Sequence, residues 1–212
     1  MQLQIAFDRM PLDRAAEITR AVASIADWIE VGTSLIKTGG VRAIEQIVEA
    51  AGPTPVLADL KTVDDAAYEF GLIFDAGAKA GTVLALAADA SIETASSVAS
   101  DRGGEVLVDL MLAGPDRAAA LATRIRSQAM LLAHVGKDTG PSGSDPLSLV
   151  GAWAAGRRIA VAGGLTLSSL ESLRSHPGVR AIVGSAITAA ADPVKAALAF
   201  RAAADGTKEQ SK

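Results

Sequence analysis

The chain has 212 residues, a length that suits one domain or two small ones. Half of them are hydrophobic but only 3% aromatic, so a core must be built from Ala, Leu, Val and Ile. A formal charge of −4 without long Lys/Arg clusters argues against a nucleic-acid partner, and the lack of cysteine excludes a disulfide framework, a thiolate metal site and a Cys nucleophile.

In chain order, the first β-rich run is 3–8 (LQIAFD), and its start MQLQIAFDRMP shows no basic n-region or long apolar stretch of a signal peptide. Helical spacing over 12–24 leads to the run 28–32 (WIEVG), and a second helical segment, 41–51, leads to 55–61 (PVLADLK). Segment 65–76 precedes 80–85 (AGTVLA), 89–101 precedes 105–111 (EVLVDLM), and 116–127 precedes 129–136 (AMLLAHVG). Two further runs, 158–164 (RIAVAGG) and 181–186 (AIVGSA), close the series. A strand–helix unit thus recurs about every 25 residues without a break in composition, which predicts a parallel (β/α)8 TIM barrel over 1–205 and a polar tail over 206–212. A doubly wound open sheet is the alternative. No stretch of about 18 charge-free apolar residues occurs, so no membrane span is expected and a soluble cytoplasmic protein is the default.

Active sites of such barrels lie at the C-terminal ends of the strands. Here those ends carry Asp8, Glu30 before Gly32, Asp59 and Lys61, Asp109, His134, Gly163-Gly164 and Gly184-Ser185. Each has an ordinary reading. Asp8 could cap a turn, Asp109 could satisfy loop N–H groups, Asp59 and Lys61 could form a structural ion pair, and His134 could be a core histidine. Convergence of Asp8, Glu30, Asp59, Lys61 and His134 on one mouth favours function, because isolated buried ion pairs often fail to offset desolvation.

Spacing suggests the chemistry. Asp59 and Lys61 are i and i+2 on a strand and share a face. Glu30 and Asp59, on adjacent strands, offer two hard oxygen ligands that suit Mg²⁺ with water and substrate oxygens around it. A metal with Lys61 would stabilise an enediolate, and His134 would move the proton. Asp64 falls at the start of the next helix, where the dipole favours an acid. The glycine-rich ends VAGGLTLSSL and VGSAITAAADP suit a phosphorylated substrate.

The pattern D-x-K-x-x-D formed by Asp59, Lys61 and Asp64 resembles the mark of the orotidine monophosphate decarboxylase superfamily. Within it, QIAFD, IEVGTSLIKTGGVRAI, VLADLKTVD, VLVDLM, AVAGGL and IVGSAIT resemble the 3-hexulose-6-phosphate synthase family over about residues 2–204. The resemblance implies Mg²⁺-dependent condensation of formaldehyde with D-ribulose 5-phosphate to give D-arabino-3-hexulose 6-phosphate, and a homodimer with active sites at the interface. It implies Glu30 and Asp59 as metal ligands, Lys61 as stabiliser of the enediolate, Asp8 as a substrate-binding acid and His134 as the proton-transfer residue. Gly163, Gly164, Gly184 and Ser185 fall on the phosphate-binding segments, and Asp64 on a residue that reaches the neighbouring subunit's site.

The chain departs from that pattern in places. HVGKD stands where the synthases tend to read H-T-G-Y-D, and Lys137, a candidate substrate-binding residue, stands where the related 3-keto-L-gulonate-6-phosphate decarboxylases carry an arginine that helps protonate their intermediate. Asp64-Asp65-Ala66 replaces D-A-G, while ADLK and VDLM are synthase-like. Decarboxylation of a β-keto-acid sugar phosphate, and a non-catalytic phosphate-binding or dimerisation barrel, remain as alternatives. Orotidine monophosphate decarboxylase itself carries a second lysine where this chain has Leu57.

Overall fold

The computed structural model describes residues 1–125, 129–138, 146–176 and 178–206. In chain order, β1 (Gln2–Phe7), α1 (Leu12–Val22), β2 (Trp28–Val31), α2 (Thr33–Gly39), α3 (Val41–Ala51) and β3 (Val56–Thr62) come first. They are followed by α4 (Ala66–Asp75), β4 (Ala80–Leu84), α5 (Asp89–Asp101), β5 (Glu105–Asp109), α6 (Pro115–Arg124) and β6 (Ala129–His134). Then come β7 (Ile159–Ala162), α7 (Leu167–Leu173), β8 (Arg180–Val183), α8 (Ser185–Thr188) and α9 (Pro193–Asp205). The eight strands are parallel, each pairs with its sequence neighbours, and β1 pairs with β8 to close the barrel. The predicted (β/α)8 architecture is therefore the one observed, and the open doubly wound sheet is not. Two predicted stretches, 126–127 of a helix and 207–212 of the tail, lie outside the described residues.

Alternation along each strand divides the side chains between two cores. Leu3, Ile5, Ile29, Val106, Val161 and Val183 point outward and are buried beneath the helices. Trp28, Leu57, Leu107, Met130, Leu132 and Ile182 point inward and fill the barrel. The same inward parity carries Gln4, Glu30, Asp59, Thr82, Asp109 and Arg180, all buried. The polar residues of the strands thus form part of a packed interior rather than a solvated face. No helix among the described residues is long and apolar enough to cross a membrane.

The helix starts carry local signals. Pro115 and Pro193 occupy first-turn positions, where the missing N–H costs nothing, and Asp192 accepts from Lys195 N at 2.9 Å. Thr166 and Ser169 form a capping box on α7. The start of α2 has no such residue, because its N-cap is Gly32. Its first turn is instead capped from another strand: Asp8, just past β1, accepts the Ser34 N–H on Oδ1 at 2.9 Å. A Cβ on Gly32 would lie 2.6 Å from Phe7 O and 2.8 Å from Asp8 Cβ, so only glycine admits this approach.

Candidate active site

The mouth is organised by an irregularity in β3. Its register with β4 passes from Ala58↔Gly81 to Thr62↔Val83, so four steps along β3 correspond to two along β4. Lys61, within the displaced segment, has a φ of 54°, a left-handed conformation rare for a residue with a Cβ. Such a residue costs about 1–3 kcal/mol of local strain, a device concentrated at functional sites. Thr82 on β4 offsets it. The Thr82 hydroxyl accepts the Lys61 backbone N–H at 2.9 Å and donates to Asp59 Oδ1 at 2.7 Å. The bulge and the carboxylate are thereby tied to the same hydroxyl.

Four expected residues meet here, joined by one that had not been selected. Lys61 Nζ lies 3.1 Å from Asp59 and 2.8 Å from Asp109 Oδ2. Asp109 Oδ2 is also 2.8 Å from His134 Nδ1, while its Oδ1 accepts the Met111 N–H at 2.9 Å. Asp109 thus fulfils the loop-capping role its strand-end position suggests and in addition links the lysine to the histidine. An ionised Asp109 only accepts, so in the neutral His134 ring Nδ1 carries the hydrogen and Nε2 is the basic nitrogen. Asp59 Oδ2 accepts the Thr33 hydroxyl at 2.6 Å, and Glu30 Oε2 accepts the Gln4 amide at 2.5 Å. Thr33, Thr82 and Gln4 had no motif to announce them.

The electrostatics separate the carboxylates. Burial and then the charge of Asp59 push Glu30 up to about 8, against a smaller opposing pull from the Gln4 hydrogen bond and Lys61. Burial would also raise Asp109, but the hydrogen bond and charge of His134, followed by those of Lys61, outweigh it and hold Asp109 at about 2. Burial pulls Lys61 down, yet the charges and hydrogen bonds of Asp59 and Asp109 prevail and hold it above the ordinary lysine range. Lys61 is therefore a permanent ammonium, not a base.

Whether this set suits a divalent cation can be judged from its donor chemistry. Glu30 and Asp59 are hard oxygen donors on paired strands, and the charge of Asp59 disfavours that of Glu30. Positive charge between them would relieve that opposition. Among the described residues no group of three or more His, Cys, Asp or Glu ligands forms. A cation here would take two carboxylates and complete its shell with water and substrate oxygens, the habit of Mg²⁺. The residues fit.

The remaining expected residues lie around this centre. Asp8 is half-buried at the β1 exit and occupied with Ser34 N. Gly163 and Gly164 at the β7 exit have φ of 107° and 68°, and a Cβ on Gly163 would lie 2.6 Å from Val135 O. Gly184 and Ser185 lead into α8 at the β8 exit, with Ser185 exposed. Lys137 is exposed three residues beyond His134. Asp64 is exposed on the rim, and the N-cap of α4 is its neighbour Asp65, in a left-handed conformation with φ 52°. Among the described residues no hydrogen bond joins Asp64 to the central cluster. Leu57 is fully buried in the barrel core.

Comparison with known proteins matches the chain from several directions. A 3-hexulose-6-phosphate synthase of Staphylococcus aureus (strain bovine RF122 / ET3-1) is 32% identical over 209 residues, spanning 97% of this chain and 100% of the relative. The crystal structure of 3-hexulose-6-phosphate synthase from Salmonella typhimurium superposes with a TM-score of 0.89 at 34% identity, over 98% of this chain and 100% of that one. The 3-keto-L-gulonate-6-phosphate decarboxylase of Vibrio cholerae O1 biovar El Tor reaches 0.83 at 26%, over 98% of both chains. The family model for orotidine 5'-phosphate decarboxylase / HUMPS matches residues 1–200, nearly the whole barrel and every strand that carries the cluster. By that match and by its full-length relatives, the chain belongs to the orotidine 5'-phosphate decarboxylase / HUMPS family.

Proposed function

We propose that this enzyme is a lyase that condenses formaldehyde with D-ribulose 5-phosphate to give D-arabino-3-hexulose 6-phosphate. The observation that carries the reading is the meeting of Lys61 and His134 on one buried carboxylate, Asp109, beside Glu30 and Asp59. A full-length relative and a closely superposing structure, both named for that synthase activity, support it.

The residues divide the work. His134, oriented through Nδ1 by Asp109, removes a proton from C1 of the ketopentose with Nε2. Lys61 donates hydrogen bonds to the oxygens on which negative charge develops as the enediolate forms. That carbon attacks formaldehyde, a C–C bond forms, and the proton held by His134 passes to the new alkoxide. Mg²⁺ held by Glu30 and Asp59 would supply Lewis-acid charge beside the same oxygens. Gly163, Gly164, Gly184 and Ser185 would accept the phosphate, with backbone N–H groups close to the anion. Asp8 would hold a sugar hydroxyl.

Exposed Val63, Tyr68, Leu86 and Leu112 surround the exits of β3, β4 and β5, Tyr68 at 62% and Leu112 at 64% exposure. This apolar sector beside Asp64 supports a homodimer in which Asp64 enters the partner's site. Sedimentation should give a dimer, and Tyr68→Glu should shift it towards monomer; a wild-type monomer at assay concentration overturns this part.

Purified enzyme with Mg²⁺ is expected to consume formaldehyde only when ribulose 5-phosphate is supplied. The exposed basic Lys137 beyond His134 favours one rival, decarboxylation of 3-keto-L-gulonate 6-phosphate. Release of CO₂ from that compound as the main activity, without formaldehyde uptake, would overturn the synthase reading.

A further inference from the structure

A chain of polar side chains runs through the barrel beneath the site and ends on Glu30. Arg180, on β8, is completely buried. Its Nη2 donates to Glu105 Oε2 at 2.6 Å, its Nε to Gln2 Oε1 at 3.0 Å, and its Nη1 to Gln4 Oε1 at 3.4 Å. Its guanidinium carbon lies 4.2 Å from the centre of the Trp28 ring. Gln4, also completely buried, donates its amide Nε2 to Glu30 Oε2 at 2.5 Å.

The chemistry of the two ends leaves the Gln4 amide one orientation. Arginine only donates and an ionised carboxylate only accepts. Turning the amide over would set its NH₂ against the guanidinium and, whenever Glu30 is ionised to hold a cation, its oxygen against the carboxylate, both repulsive. Glu105 and Trp28 hold Arg180, Arg180 holds the amide oxygen, and the amide nitrogen then points at Glu30. A methionine or leucine would fill the interior as well as glutamine does, with no buried polar atoms to satisfy. The polar chain therefore calls for an explanation beyond packing.

We infer that Gln4 is a positioning residue for Glu30, oriented by Arg180, and that it holds the carboxylate where it binds a divalent cation. The inference rests on the proposed metal role of Glu30. Outer hydrogen-bond partners of metal ligands typically set affinity by about 10- to 100-fold, which gives the size of the expected effect.

The test uses Mn²⁺ alone as a spin-active probe, titrated into the full-length, EDTA-treated protein and followed by electron paramagnetic resonance, with thermal unfolding in parallel. Gln4→Met should weaken Mn²⁺ binding by about tenfold or more. Gln2→Met removes a bond to the same Arg180 but none to Glu30, and should leave Mn²⁺ affinity unchanged. Equal weakening in both variants would reduce the chain to a structural support and overturn the inference, as would wild-type affinity in Gln4→Met. Arg180→Lys keeps the charge but loses the planar fork that grips the amide. It should weaken Mn²⁺ by about threefold or more, reading the chain from its other end if Gln4→Met does not fold, and wild-type affinity there also overturns the inference. Glu30→Gln separates the two levels. If it binds Mn²⁺ like wild type, the metal role itself falls and the positioning role with it; if it loses Mn²⁺ while Gln4→Met does not, only the positioning role falls.

Discussion

Replacing Lys61 by methionine is expected to lower kcat by about 10²- to 10³-fold, the usual loss when a donor to a developing oxyanion is removed. Methionine preserves much of the aliphatic stem, so the change isolates the ammonium. Because Lys61 is held above the ordinary lysine range, it stays charged at any workable pH, and its loss should lower kcat across the whole working pH range. The same variant should be more sensitive to acid. Asp109 is held at about 2, below its unfolded value near 3.8, so it contributes stability that is complete above the unfolded value and is lost as pH falls through the folded one. Without Lys61 only His134 and the Met111 N–H remain to hold it down, and the acid unfolding transition should move to higher pH. Steady-state kinetics and acid titration of unfolding check the two halves separately. An unchanged kcat would remove Lys61 from the chemistry.

The part of this cluster that sequence reveals is the part that follows from period. Strands in a closed barrel are buried on both sides, and the apolar runs at 3–8, 105–111 and 129–136 identify them without ambiguity. Inward parity from a strand end then carries Glu30, Asp59 and His134 to one mouth. What sequence conceals depends on departures from regularity and on residues with common structural uses. The i, i+2 argument brings Asp59 and Lys61 together, but it assumes a regular strand, whereas β3 is irregular and Lys61 is left-handed. Nothing in the side chain of a lysine announces that conformation. Asp109 looks like a turn acid because it is one, through Met111; its second oxygen contacts residues 48 and 25 positions away in sequence, which no local pattern encodes. Thr33 and Thr82 are unremarkable helix-start and strand residues until Asp59 lies between them. The helix over Thr33–Gly39 is hidden in a glycine-flanked segment whose cap comes from Asp8 on another strand. Gln4 and Arg180 were findable, since each interrupts an apolar run on the inward parity.

The metal-free protein is expected to be less stable at about pH 9 than at about pH 6, and Mg²⁺ to remove most of that difference. Glu30 carries this dependence. Its folded value of about 8 lies above the ordinary 4.5, raised first by burial and then by Asp59. Between those two values the folded chain keeps a proton that the unfolded chain has released, so stability declines as pH rises and the loss is complete above the folded value. A cation bound by Glu30 and Asp59 requires the carboxylate, so protons and Mg²⁺ compete. The Mg²⁺-induced rise in Tm should therefore be small at the acidic end of the window and large at the alkaline end. At 100 times its dissociation constant the ion adds about 2.7 kcal/mol. Glu30→Gln carries no charge to neutralise: it should melt higher than metal-free wild type at about pH 9 and gain little from Mg²⁺. Melts of wild type and variant in EDTA and in excess Mg²⁺, at both pH values, decide the matter. A Mg²⁺ shift of equal size at both, or one that survives in Glu30→Gln, would place the ion away from Glu30 and leave Lys61 as the principal positive charge for the reaction.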